Sequence, residues 1–168
     1  MKELNDAEMG QRYKNWMELL ARYAVLAFNV GKELAGEAYV KRLEEEFYKQ
    51  GARTAEYYKK LAGVEEAVPD CVGLGKIMDF IDDGFANFWD GHEENSSKAF
   101  EKRIRTCPIA KPWSKAPELC TIMTNAIMRG LFETLNPDAT LSWKEFLSTG
   151  GDSCHYRIEM KKKERSKE

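Results

Sequence analysis

Two periodicities divide this chain, and their order constrains the fold more than any single motif. Through about residue 62, apolar side chains recur every three or four positions. Tyr13, Trp16, Leu19, Leu20, Tyr23 and Ala27 form one stripe of an amphipathic helix, with Asp6 placed to cap its start. A second helical run covers Gly36 to Leu61, carrying Tyr39, Leu43, Phe47, Ala55 and Tyr58. Gly51 inside it should weaken the helix by about 1 kcal/mol relative to Ala, and Gly63 suits a C-cap. These aromatic stripes, Phe28 included, read as core.

After Pro69 a shorter helix is expected over Leu74 to Asp82. Beyond residue 85 the period falls to two. Phe100, Lys102, Ile104 and Thr106 alternate with Glu101, Arg103 and Arg105, and Asn95-Ser96-Ser97 is a turn joining them to an aromatic-rich strand. Pro117-Glu118 then opens a helix with Cys120, Thr124, Ile127 and Leu131 on one side, stopped at Asn136-Pro137. Leu141, Trp143, Glu145 and Leu147 alternate in one arm of a hairpin, and Cys154, Tyr156, Ile158 and Met160 in the other, across Thr149-Gly150-Gly151-Asp152. The expected fold is α+β: long N-terminal helices on one face of a small antiparallel sheet, with a C-terminal helix and β-hairpin. A single domain should span 1–160, followed by a charged, disordered tail over 161–168.

The chain has 168 residues, 26 Lys plus Arg against 28 Asp plus Glu, and a net charge of -2. That balance argues against nucleic acid as a partner, which needs a basic surface. No apolar run approaches the ~18 residues of a membrane span, and no signal peptide is visible at the start. The expectation is a cytoplasmic protein with no membrane partner and room for a homo-oligomer. In a reducing compartment its four cysteines, Cys71, Cys107, Cys120 and Cys154, are thiols rather than disulfides.

Alternation turns Cys154 toward the helices, helical spacing does the same for Cys120, and Cys107 ends the second strand just before Pro108. Three thiols thus come from edges of one helix-sheet interface. Cys71 sits alone between helices. Each thiol can be plain packing, since Cys behaves as a small hydrophobe. It can instead be reactive, if a cation, metal or helix N-terminus lowers its pKa. Cys120, in the first turns of its helix, fits that need best, with Arg103, Arg105 and Arg157 as cationic neighbours. A zinc site from Cys107, Cys120, Cys154 and His92 is chemically allowed. His155 points to the face opposite Cys154 and reads as a solvated sheet histidine. Asp152 reads as a turn residue or a base, and Glu118 as a first-turn carboxylate or a catalytic one.

Thr106-Cys107-Pro108-Ile109-Ala110, Pro117-Glu118-Leu119-Cys120, Leu135-Asn136-Pro137 and Gly150-Gly151-Asp152-Ser153-Cys154-His155-Tyr156-Arg157-Ile158 follow one another in an order that resembles the L-2-amino-thiazoline-4-carboxylic acid hydrolase family. The Gly-Asp-x-x-Cys-x-aromatic hairpin is also similar to the 4-vinyl-reductase domain, a ligand-binding module related in fold to transport-particle subunits. The first resemblance implies hydrolysis of a small cyclic amidine or amide carbon-nitrogen bond, with matched positions Cys107, Glu118, Cys120, Asp152 and Cys154. Met123 and Asn125 stand where that family's pattern has a Cys and an Asp. A thiolate would attack or hold a metal-bound water, Asp152 or Glu118 would act as base, and an Arg would pair a substrate carboxylate. The second resemblance implies a non-catalytic domain binding a small molecule or a metal. A third reading, a scaffold in a larger complex, rests on fold analogy.

Overall fold

The computed structural model describes residues 6–85 and 87–161. The chain opens with α1 (Asp6–Leu61), broken at Gly36, whose φ of 58° and ψ of -142° end one helical segment and start the next. Phe28 and Tyr39 stand on either side of the break, and their rings meet at 6.2 Å. After Leu61, Gly63 takes the left-handed conformation (φ 68°). Its N–H and that of Val64 bond back to the Lys60 and Lys59 carbonyls, closing the helix as a Schellman motif.

Helix α2 (Cys71–Gly84) starts three residues earlier than periodicity indicates, because Asp70 caps it: Val72 and Gly73 N–H both donate to Asp70 Oδ1 at 3.1 Å. Cys71 is therefore the first residue of a helix rather than isolated between two. It is fully buried, with its thiol 3.7 Å from the Ile158 carbonyl. Strands β1 (Phe88–Asn95) and β2 (Ala99–Thr106) form the expected pair. A short turn, α3 (Ala110–Trp113), precedes α4 (Pro117–Leu135), and β3 (Ala139–Glu145) and β4 (Cys154–Met160) make the C-terminal hairpin. Between the last two, a 3-10 turn over Leu147–Thr149 and Gly150 (φ 91°) replace the simple alternation expected at Leu147. The four strands run antiparallel in the order β1-β2-β4-β3. The architecture is the expected α+β one, with helices on one face of the sheet.

The core lies between that face and the helices. Leu74, Ile77 and Met78 of α2 meet Phe100, Tyr156 and Ile158 of the sheet. Helix α4 and the second segment of α1 (residues 37–61) cross so closely that two glycines are required. A Cβ at Gly51 would strike the Ile127 carbonyl, and one at Gly130 the Tyr48 carbonyl. Gly51 is thus a packing residue, not a weak point in the helix. The first segment of α1 departs from expectation. It buries Ala21, Val25 and Phe28, but Trp16, Leu20 and Tyr23 of the anticipated core stripe are 57% to 62% exposed. The tail beyond residue 161 lies outside the described residues.

Candidate functional site

Cys107 follows β2, Cys120 lies in the first turn and a half of α4, and Cys154 opens β4. All three line one cavity of about 190 Å³ between α1, α2, α4 and the sheet. Its remaining walls are mostly apolar, including Met78, Ile104, Met123, Ile127, Leu131 and Trp143.

The cavity does not activate its thiols. Burial pushes Cys107 up to about 11 and Cys154 up to about 12, and raises Cys120 as well. The Leu147 N–H donates to Cys154 Sγ at 3.4 Å, which offsets only part of that effect. At neutral pH the thiols are protonated, and the thiolate is the nucleophile. Cys71 is outside this cavity and also raised to about 11 by burial.

The other anticipated partners stand elsewhere. Arg103, Arg105 and Arg157 alternate onto the outer face of the sheet. There Arg103 pairs with Glu93 and with Glu145, Arg105 with Asp90 at 2.8 Å, and Arg157 with Glu94 at 2.7 Å. Asp152 is exposed on its turn, outside the cavity lining. Glu118 pairs with Lys32 of α1, also away from the cavity. None of these residues offers the cavity a base or a carboxylate clamp.

The zinc set does not assemble either. His92 contacts both Asp79 carboxylate oxygens, at 2.9 and 3.1 Å, and stacks on Trp89. Among the described residues, one group of three metal-capable side chains brings its ligand atoms within 4.8 Å of one another: Glu93, Glu101 and His155 on the outer face. That group already holds cations. Lys144 and Arg157 pair with Glu101, and Arg103 with Glu93. His155 is not solvated as expected. It is 3% exposed beneath these long side chains, with Nε2 2.6 Å from Glu101. Burial alone would raise the Glu101 carboxyl, but Lys144, Arg157 and His155 hold it down at about 2.

Sequence reasoning missed a buried ion network beside the cavity. Lys102 is fully buried, its ammonium 2.7 Å from Asp79, 2.9 Å from Asp82 and 3.6 Å from the Trp89 ring centroid. Tyr156 Oη and Asn87 Nδ2 also donate to Asp82, each at 3.1 Å. Burial raises the Asp82 carboxyl, and Lys102 acts against that rise. The signal was present in the alternation, which sets Lys102 on the same face as Phe100 and Ile104. A lysine there needs an acidic partner from the helix above. Two cavity-lining residues also keep a buried polar atom without a partner among the described residues: Asn87 Oδ1, an acceptor, and Trp143 Nε1, a donor.

No family model matches the chain, and no curated protein matches it. A solved structure does: a trafficking protein particle complex subunit 3 from Naegleria fowleri, covalently bound to palmitic acid. It is 17% identical, with a TM-score of 0.64, over 91% of this chain and 99% of that one. The likeness establishes that the two share a fold. Against the hydrolase expectation stand this shared fold, whose solved example is a trafficking subunit, and the placement of Glu118, Asp152, Arg103, Arg105 and Arg157 outside the cavity that the three matched cysteines line. Among the described residues, no helix is long and apolar enough to cross a membrane.

Proposed function

We propose that this chain is a non-catalytic subunit-type module that holds a small, largely apolar ligand in the thiol-lined cavity. The carrying observation is the cavity itself, which combines apolar walls, protonated thiols, and the unpartnered acceptor of Asn87 and donor of Trp143. An unpaired buried polar group costs roughly 1–3 kcal/mol, so a ligand with a hydroxyl or protonated carboxyl at one end would recover part of that. The palmitic acid of the Naegleria subunit supports a fatty acyl ligand in this fold. The present cavity, about 190 Å³, is little larger than the ~150 Å³ that accommodates benzene. It suits a medium-length acyl chain better than a palmitoyl one. The high thiol pKa values favour a non-covalent ligand over a thioester. Four free cysteines suit a reducing, cytosolic setting.

A chain-length series of fatty acids tests this by thermal shift and native mass spectrometry. Medium chains should raise Tm most and give a hydroxylamine-insensitive adduct. Absence of any shift across the series sinks the proposal, and a hydroxylamine-labile mass addition on a cysteine removes its non-covalent part.

A further inference from the structure

The first segment of α1 (residues 6–35) carries an apolar seam that its own domain leaves largely open, although Tyr13 Oη donates to the Gly84 carbonyl at the end of α2 at 2.8 Å. Met9, Tyr13, Trp16, Leu20, Tyr23, Ala27, Val30 and Leu34 follow one another at alternating spacings of four and three residues. That is the repeat by which one helix packs along another, with a and d positions facing the partner. All eight are exposed, from 41% at Tyr13 to 81% at Leu34 among the large ones. Leu19 and Leu26 flank the seam, 37% and 61% exposed. At roughly 200 Å² per large side chain, these residues leave on the order of 1,000 Å² open to water. That exceeds the ~300–600 Å² of the largest apolar patch on a typical monomer and meets the ~800 Å² per partner of a standard interface.

The flanking residues identify what covers it. We infer that a second copy of this chain packs its own 6–35 segment antiparallel along this seam, about a two-fold axis near Leu20 and Tyr23. In that register Met9 meets Leu34 of the other copy, Tyr13 meets Val30, Trp16 meets Ala27 and Leu20 meets Tyr23. The largest side chain thus falls opposite the smallest. The same register sets Leu19 against Leu26 and Arg12 against Glu33 at the two ends, each pair occurring twice by symmetry. Arg12 and Glu33 are both exposed and oppositely charged. A parallel pairing would instead leave Arg12 and Glu33 of the two copies about 30 Å apart along the axis, with no charge pair between them. The helical stripe that sequence periodicity assigns to a core is then the core of a dimer.

Sedimentation and light scattering of the full chain at micromolar concentration test this. The expected species is a dimer. Leu20→Glu should raise its dissociation constant about a hundredfold or more, as for a central hot spot, with helical content unchanged by circular dichroism. The charge pair gives a second, surface-only test. Arg12→Glu alone and Glu33→Arg alone should each weaken self-association, whereas mixing the two variants should give a one-to-one heterodimer, since both end pairs become attractive. A monomeric wild type, a dimer indifferent to Leu20→Glu, or no preference for the mixed pair overturns the inference. Binding of the monomer to lipid vesicles instead would assign the seam to a membrane surface.

Discussion

The two faces of the sheet carry charge in opposite ways. On the inner face, Lys102 is fully buried and meets the buried Asp82 and the partly exposed Asp79 beside the thiol cavity. On the outer face, Glu93, Glu94, Glu101, Arg103, Lys144, His155 and Arg157 pair among themselves under partial solvent. The inner face isolates one ion cluster so that the rest can stay apolar. The outer face spreads charge so that water and salt share the cost. An outer cluster rich in His, Glu and Arg resembles a reactive site in composition, yet its groups satisfy one another. The inner cavity, poor in charge, is where a ligand finds room.

Single charge deletions should separate the faces most sharply. Lys102→Ala leaves Asp79 and Asp82 without their buried cation and should cost about 3 kcal/mol or more, read by denaturant unfolding. Arg103→Ala, whose side chain is 33% exposed, should cost under about 1 kcal/mol. Equal losses would break the contrast. Next in size, Gly51→Ala should destabilise by about 1–3 kcal/mol through collision with the Ile127 carbonyl, although helix propensity alone predicts a gain of about 1 kcal/mol. A stabilised variant would mean that the helical wall of the cavity is looser than described.

The pH limbs should differ as well. Glu101 has its pKa depressed to about 2 from 4.5, so its contribution is complete above 4.5 and is lost as pH falls toward 2. The inner thiols run the other way. Their folded values, about 11 to 12, exceed the ordinary 9.0, so stability holds below pH 9 and is lost as pH rises toward 12. Alkylation of Cys107 and Cys154 in the folded protein should likewise follow a pH profile displaced upward. Rapid modification near neutral pH would show an activated thiol and contradict the non-catalytic account.

Much of the architecture is written in local pattern. Period-two alternation places Cys154, Tyr156 and Ile158 on one face and sends His155 to the other, and Pro117 marks the start of α4. The same geometry delivers Cys107, Cys120 and Cys154 to one interface, because each sits where its element meets that interface. Local pattern does not say what else arrives there. Asn87 reaches the cavity through the path of the chain after α2, and no periodicity encodes that. Nor does an amphipathic stripe say whose core it fills: Trp16 and Tyr23 carry the signature of a buried face, and this chain alone leaves them in water. Burial, not neighbouring charge, sets the thiol pKa values. The segments that resemble a hydrolase family in sequence therefore place their cysteines where burial raises the thiol pKa values.

The thiol-lined cavity should bind an apolar ligand without turning it over. Calorimetric titration of decanoic acid tests it most directly, run on the wild type and on Ile127→Trp, which fills the cavity. Saturable one-to-one binding with a negative heat-capacity change, abolished in Ile127→Trp, with the acid recovered unchanged, is the predicted result. No binding by a well-folded wild type, or equal binding by both proteins, would contradict it.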